Sequence, residues 1–187
     1  MSQGLRIIGG KWRGRTLKIP ATTLIRPTPD RLRETLFGWL AFYLPDSICL
    51  DLFAGSGALS FEALSRGATK VYMVEKDAPA QQALQNNMTL FQATAHATLI
   101  AEDVYHWLKH TPAIASDIIF LDPPYHEAHY ERILKLLVEQ GWLASEPLLY
   151  IESAEPQTHV ILPSGYELFK TYHAGMAHGA LYQLGAA

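Results

Sequence analysis

The chain has 187 residues, 49% apolar and 18% charged, values that suit one globular domain with a full core. No apolar run approaches the roughly 18 residues of a membrane span, and the N-terminus has no signal-peptide h-region, so a cytoplasmic location is expected. The net charge of −3 hides an asymmetry: residues 1–33 carry eight basic side chains against Asp30 alone, a net +7, and the remainder carries seven basic against 17 acidic, a net −10.

The basic arm comes first. Leu5-Arg6-Ile7-Ile8, then Gly9-Gly10, then a basic segment running to Leu17-Lys18-Ile19 predict a small β-ribbon. Alternation within that ribbon places Lys11, Arg13 and Arg15 on one face, away from Trp12. Pro20 and Pro27 punctuate a loop, and Thr28 as N-cap with Pro29 at the first helical position starts a helix that runs to about Leu44. Leu32, Leu36, Trp39, Leu40 and Tyr43 share its apolar face, with Arg31 and Arg33 toward the exposed side. The expected division is a basic arm over residues 1–27 and a main domain over 28–187.

After Pro45 strands and helices alternate. A strand through Ile48-Cys49-Leu50 ends at Asp51, and its buried Cys49, the only cysteine, reads as a small core residue. A tight turn, Leu52 to Gly57, leads into the helical run Ala58 to Arg66, stopped by Gly67. A strand over 70–74 ends at Glu75, and a helix follows over 78–91. Further strands over 98–101 and 117–121 end near Asp103 and at Asp122. A helix from about His129 stops at Gly141, and a strand covers 148–152. Two late strands, near 166–172 and 179–184, predict an antiparallel hairpin. This rhythm predicts an α/β fold with a mostly parallel sheet, right-handed crossovers and helices on both faces. Ligands of such sheets bind outside the carboxyl ends of the strands, where Asp51, Glu75, Asp103 and Asp122 all fall.

The turn Asp51-Leu52-Phe53-Ala54-Gly55-Ser56-Gly57 can serve two ligand classes. A dinucleotide wants Gly-x-Gly-x-x-Gly, but Ser60 stands at the third glycine's place. S-adenosylmethionine (SAM) carries an ammonium instead, which Asp51 would attract. Glu75, 24 residues on, can accept both ribose hydroxyls, and Asp103 can accept an adenine amine. Phe53 and Val104 either flank an adenine or belong to the core, and Thr28 and Lys76 complete the candidate cofactor contacts.

Asp122-Pro123-Pro124-Tyr125 carries the sharpest chemistry. Prolines fix φ and end the ladder, so the turn is stiff and presents the Pro123 carbonyl as an acceptor. Asp122 and that carbonyl can take both hydrogens of an exocyclic amine and favour the pyramidal nitrogen that a methyl transfer requires. Tyr125 offers a face on which a flipped base stacks, with His126 as a further substrate contact. Residue chemistry leaves guanine N2, adenine N6 and cytosine N4 open. His126 and His129 have no accompanying ligand set, so no metal is expected.

Asp51 to Gly57, Glu75 and Asp122 to Tyr125 together resemble the class I SAM-dependent amino-methyltransferases. Arg26-Pro27-Thr28-Pro29-Asp30-Arg31-Leu32-Arg33-Glu34-Thr35-Leu36-Phe37 and Gly9-Gly10-Lys11-Trp12-Arg13-Gly14-Arg15 narrow the likeness, over essentially the whole chain, to the RsmD family. Gly38 stands where that family more usually has Asn. The resemblance implies a Rossmann-like, seven-stranded twisted sheet with a C-terminal antiparallel hairpin. It implies SAM as cofactor, S-adenosylhomocysteine as product and no metal. The implied reaction is methylation of guanine N2, at the position conventionally numbered 966, in 16S rRNA of the small ribosomal subunit, by a monomer. Rival readings are an amino-methyltransferase of DNA adenine or a protein glutamine, a nicotinamide oxidoreductase, and a noncatalytic RNA-binding module. The acidic body would repel RNA, so Lys11, Arg13, Arg15, Arg26, Arg31 and Arg33 are expected to grip its phosphates.

Overall fold

A computed structural model describes residues 4–19, 30–124, 130–153, 160–174 and 177–185. Arg26, Thr28, Tyr125 and His126, all singled out above, lie outside these. Nine strands and five α-helices follow in chain order among the described residues. Strands β1 (Leu5–Arg6) and β2 (Thr16–Leu17) form an antiparallel ribbon, and helix α1 spans Asp30–Trp39. The α/β succession is β3 (Ile48–Asp51), α2 (Ala58–Ser65), β4 (Lys70–Val74), α3 (Ala78–Leu90), β5 (Ala97–Ile100), α4 (Val104–His110), β6 (Ser116–Leu121), α5 (Tyr130–Glu139) and β7 (Leu143–Ser153). The hairpin β8 (Tyr166–Ala174) and β9 (Ala177–Leu184) closes the chain.

The large sheet has seven strands in the order β5-β4-β3-β6-β7-β9-β8, parallel from β5 to β7 and antiparallel at β9 and β8. Alternation sorts its side chains onto two apolar layers. Cys49, Val71, Met73, Ile118, Phe120 and Tyr150 face α1, α2, α3 and the ribbon. Leu50, Val74, Ile119, Leu121, Leu149 and Ile151 face α4 and α5. The order reverses between β3 and β6, which places a ligand crevice at their carboxyl ends.

Helix α2 is buried on every side, which is unusual for a helix with three polar positions in eight residues. Each polar side chain fastens something. Ser60 donates to Asp51. Glu62 accepts from the backbone N–H groups of Ile8 and Gly9, both at 2.8 Å. The Ser65 hydroxyl accepts from Trp12 N–H and donates to the Gly9 carbonyl. Gly10 (φ +73°) packs so closely on Ser65 that a Cβ there would collide with its carbonyl. The ribbon is thereby part of the core, into which it inserts Leu5, Ile7, Trp12 and Leu17.

Three expectations are corrected. Residues Gly10–Trp12 form a 3-10 turn rather than a strand, so alternation does not hold there: Lys11 lies over the Trp12 ring at 4.6 Å. Arg15 covers the Phe91 ring at 4.3 Å and donates to the Leu90 carbonyl. Arg33, placed on the exposed side, is fully buried: 33, 37 and 40 fall on one helix face with Leu36, and the guanidinium pairs with Asp30 at 2.7 Å and Glu62 at 3.8 Å. It therefore presents no charge to RNA. Tyr43, given to the apolar face, is exposed because α1 ends at Trp39. Helix α4, which no reading anticipated, starts on Asp103.

Candidate active site

The site is built where β3 ends. Leu52 N–H donates to Phe120 O and Ala54 N–H to Val74 O, so the turn is laced to the strands on both sides. Gly55 (φ +50°) and Gly57 (φ +78°) adopt the left-handed backbone that glycine permits. At Gly57 a side chain would also lie 2.7 Å from Leu84 and Phe61, so close helix packing fixes the second glycine.

Asp51 is 1% exposed. Its Oδ2 accepts from the Ser60 hydroxyl at 2.5 Å, while its Oδ1 is buried with no hydrogen-bond partner among the described residues. Burial raises its pKa from 3.8 to about 6; the Ser60 hydroxyl and the backbone N–H groups of Phe53 and Ser60 oppose the rise, and the nearby Glu75 charge adds to it. A buried carboxylate at a glycine turn, whose Oδ1 meets no hydrogen bond of good geometry among the described residues, fits an ammonium group. Ser60, which breaks the dinucleotide fingerprint, is the residue that orients this carboxylate.

Glu75 stands one strand away. Its Oε2 accepts from Gly55 N–H and its Oε1 from Asp77 N–H, both at 2.8 Å, so it clips the turn in place and keeps one lone pair on each oxygen. Asp103 caps α4, with Oδ1 accepting from Tyr105 and His106 N–H at 2.9 and 3.2 Å. Val104 and Phe53 join the second apolar layer, Val104 buried and Phe53 half-buried, and Lys76 is exposed. Ser56, buried, accepts from Ala58 N–H at the helix start.

Strand β6 lies beside β3, with Asp51 in register with Phe120. Asp122 follows Leu121, half-buried, with Pro123 buried and Pro124 exposed. Asp51 and Asp122 therefore stand at adjacent strand ends along one edge. The described residues gather no group of three metal-ligating side chains.

Comparison with known proteins supplies the family. A family model described as conserved hypothetical protein 95 matches residues 5–183. Ribosomal RNA small subunit methyltransferase D of Escherichia coli (strain K12) is 42% identical over 96% of this chain and 89% of its own length. The protein of the same description from Haemophilus influenzae is 41% identical over 96% and 93%. The solved structure of yhhF from Escherichia coli superposes with a TM-score of 0.88 at 39% identity, covering 99% of this chain and 100% of that one. The fold and the site define a class I SAM-dependent methyltransferase. Within that class, the match over nearly the whole chain is decisive: the chain belongs to the RsmD family.

Proposed function

We propose that this chain methylates the exocyclic N2 amine of a guanine in 16S rRNA, guanine 966 by the family resemblance. It would act as a cytoplasmic monomer on the small ribosomal subunit or its assembly intermediate. The observation that carries the chemistry is the placement of a buried carboxylate, Asp51 at the end of β3, beside the Asp122-Pro123-Pro124 turn that follows the neighbouring β6. The 41–42% identical relatives, named as ribosomal RNA small subunit methyltransferases, support the rRNA substrate.

SAM, when bound, supplies a methyl group made electrophilic by a sulfonium. Asp51 Oδ1 holds its ammonium, and the spare lone pairs of Glu75 take the ribose hydroxyls. Asp103 Oδ2 is left for the adenine amine, beside the wall that Phe53 and Val104 begin. Asp122 and the Pro123 carbonyl accept the two hydrogens of the guanine amine, which turns the nitrogen lone pair out of conjugation and toward the methyl. The methylated amine is cationic and strongly acidic, so Asp122 or water takes its proton without a dedicated base. Alignment is the main contribution of these residues. Lys11, Arg13, Arg15 and Arg31, all exposed, offer charge to RNA phosphates. Arg26, Tyr125 and His126 complete the proposed substrate contacts.

The reading is tested by methylating small subunits with labelled SAM and identifying the product nucleoside by mass spectrometry. N2-methylguanosine is expected; N6-methyladenosine, or no label in rRNA, overturns it.

Asp51 gives a pH prediction. Its folded pKa is raised, so the stability it contributes below the ordinary aspartate range is lost as pH rises through about 6. Ionisation is also what the ammonium requires, so SAM affinity rises over the same window. Asp51→Asn should weaken SAM by about 1–3 kcal/mol at pH 7.5 and flatten that rise. Calorimetry at pH 5 and 7.5 decides, and parallel pH profiles in both proteins would remove Asp51 from the cofactor site.

A further inference from the structure

Glu152 has no role in the reaction as derived above, yet its placement is costly. It is 3% exposed, and a buried carboxylate is unfavourable unless its surroundings compensate. It lies at the carboxyl end of β7, one residue from the strand's end, on the same edge as Asp51 and Asp122. Leu121 is in register with Ile151, so the next residues along, Asp122 and Glu152, are neighbours across the β6–β7 pair. Adjacent strands lie about 4.8 Å apart. Alternation puts Glu152 on the face of Tyr150 and Asp122 on the face of Phe120, and those two rings meet at 6.4 Å on one face of the sheet. Extending the β6–β7 register by one residue places Asp122 and Glu152 next to one another at the ligand edge.

The second of them is held in place. The Tyr150 hydroxyl donates to Glu152 Oε2 at 3.0 Å, and the Tyr130 hydroxyl donates to the Glu152 carbonyl at 2.8 Å. On the other side Glu152 is in register with Gly179 of β9. A Cβ on Gly179 would lie 2.8 Å from the Tyr150 hydroxyl, so the glycine keeps room for the phenol that orients the carboxylate.

Guanine presents two neighbouring donors on its Watson–Crick edge, N1–H and the N2 amine. Adenine and cytosine place an unprotonated ring nitrogen beside their amine, which a carboxylate repels. We propose that Glu152 is a specificity-determining residue: its carboxylate accepts guanine N1–H while Asp122, one strand away, accepts from N2. This rests on the reading of the substrate as guanine with Asp122 at its amine. It supplies the discrimination that an acceptor pair at Asp122 and Pro123 lacks, because all exocyclic amines satisfy that pair.

The test uses small subunits reconstituted with 2-aminopurine in place of the target guanine. This base keeps the N2 amine but has an unprotonated N1. The wild type should methylate guanine with a kcat/KM at least about 100-fold above that for 2-aminopurine, the scale set by an unpaired buried polar group. In Glu152→Gln the amide can donate to the unprotonated N1, so the ratio should shrink by about tenfold or more, through a lower kcat on guanine and a higher one on 2-aminopurine. Subunit KM and SAM affinity should stay within about twofold, because phosphate contacts and β3 set them. Tyr150→Phe removes the tether but keeps the carboxylate, and should lower the ratio by a smaller factor. A ratio unchanged in both variants overturns the proposal. A wild type that labels no guanine in small subunits would instead overturn the substrate reading, so the two failures are distinguishable.

Discussion

Asp122→Ala is expected to lower the methyl-transfer rate by about 10²–10⁴-fold, the range for a positioned group that acts only in the transition state. SAM affinity should stay within about twofold of wild type, since Asp51 and Glu75 on β3 and β4 carry the cofactor's two ends in the proposed arrangement. An exocyclic amine is a poor nucleophile because its lone pair is delocalised into the ring. Asp122 is set at the end of a buried strand and stiffened by Pro123 and Pro124, so it meets the amine without reorganising. Removing it leaves the Pro123 carbonyl, which orients one hydrogen but lets the nitrogen stay planar. Asp122→Asn should be nearly as slow, because the amide's own N–H group would confront an amine hydrogen unless it turns away. Single-turnover transfer to small subunits, with SAM calorimetry alongside, measures both quantities. A rate above about one third of wild type would mean that Asp122 neither orients nor activates the amine.

The carboxyl edge of the sheet was readable because each of its acids ends an apolar run. Asp51, Glu75 and Asp122 follow strands whose hydrophobicity is continuous, as strands covered on both faces require. The C-terminal hairpin was legible in two late strands close together in the chain, whereas the strand order of the sheet was not, because periodicity does not say which strands are neighbours. What escaped was set by partners distant in sequence. Arg33 looks like a solvated helix charge until Glu62, from the middle of α2, comes within 3.8 Å of it. Ser60 reads as a missing glycine until Asp51 folds back onto it. Helix α4 is only seven residues long, too short for an amphipathic pattern to declare itself. Its signal was local: Asp103 as N-cap, then Val104, Trp107 and Leu108 at i, i+3 and i+4. Strand β7 starts at Leu143, ahead of Pro147, because a register shift between Ser116 and Ile118 relieves the ladder where proline cannot donate. Glu152 reads from the sequence only as the last residue of a strand, since nothing in its neighbourhood along the chain marks it as buried.

Glu62→Ala is expected to cost about 3–5 kcal/mol of folding stability, the loss typical of breaking a buried ion pair from one side. Glu62 is fully buried and gathers three donors, Ile8 and Gly9 N–H at 2.8 Å each and Arg66 Nε at 2.7 Å, and it faces the Arg33 guanidinium as an ion pair at 3.8 Å. Without it, Arg33, also fully buried, keeps Asp30, whose side chain is 71% exposed, and the Arg6 carbonyl. Arg66 can turn to water; Arg33 cannot. The two ribbon N–H groups lose their acceptor at the point where the ribbon meets α2, so the ribbon should loosen before the sheet does. Glu62→Gln keeps an acceptor but not the charge and should cost less. Glu62→Met combined with Arg33→Met removes both charges and should recover part of the loss, as when apolar side chains replace a buried pair. Denaturant unfolding gives the free energies, and hydrogen exchange at Ile8 and Gly9 reports the ribbon. A loss below about 1 kcal/mol for Glu62→Ala would show that water reaches Arg33 and that the ribbon stays in place by its apolar contacts alone.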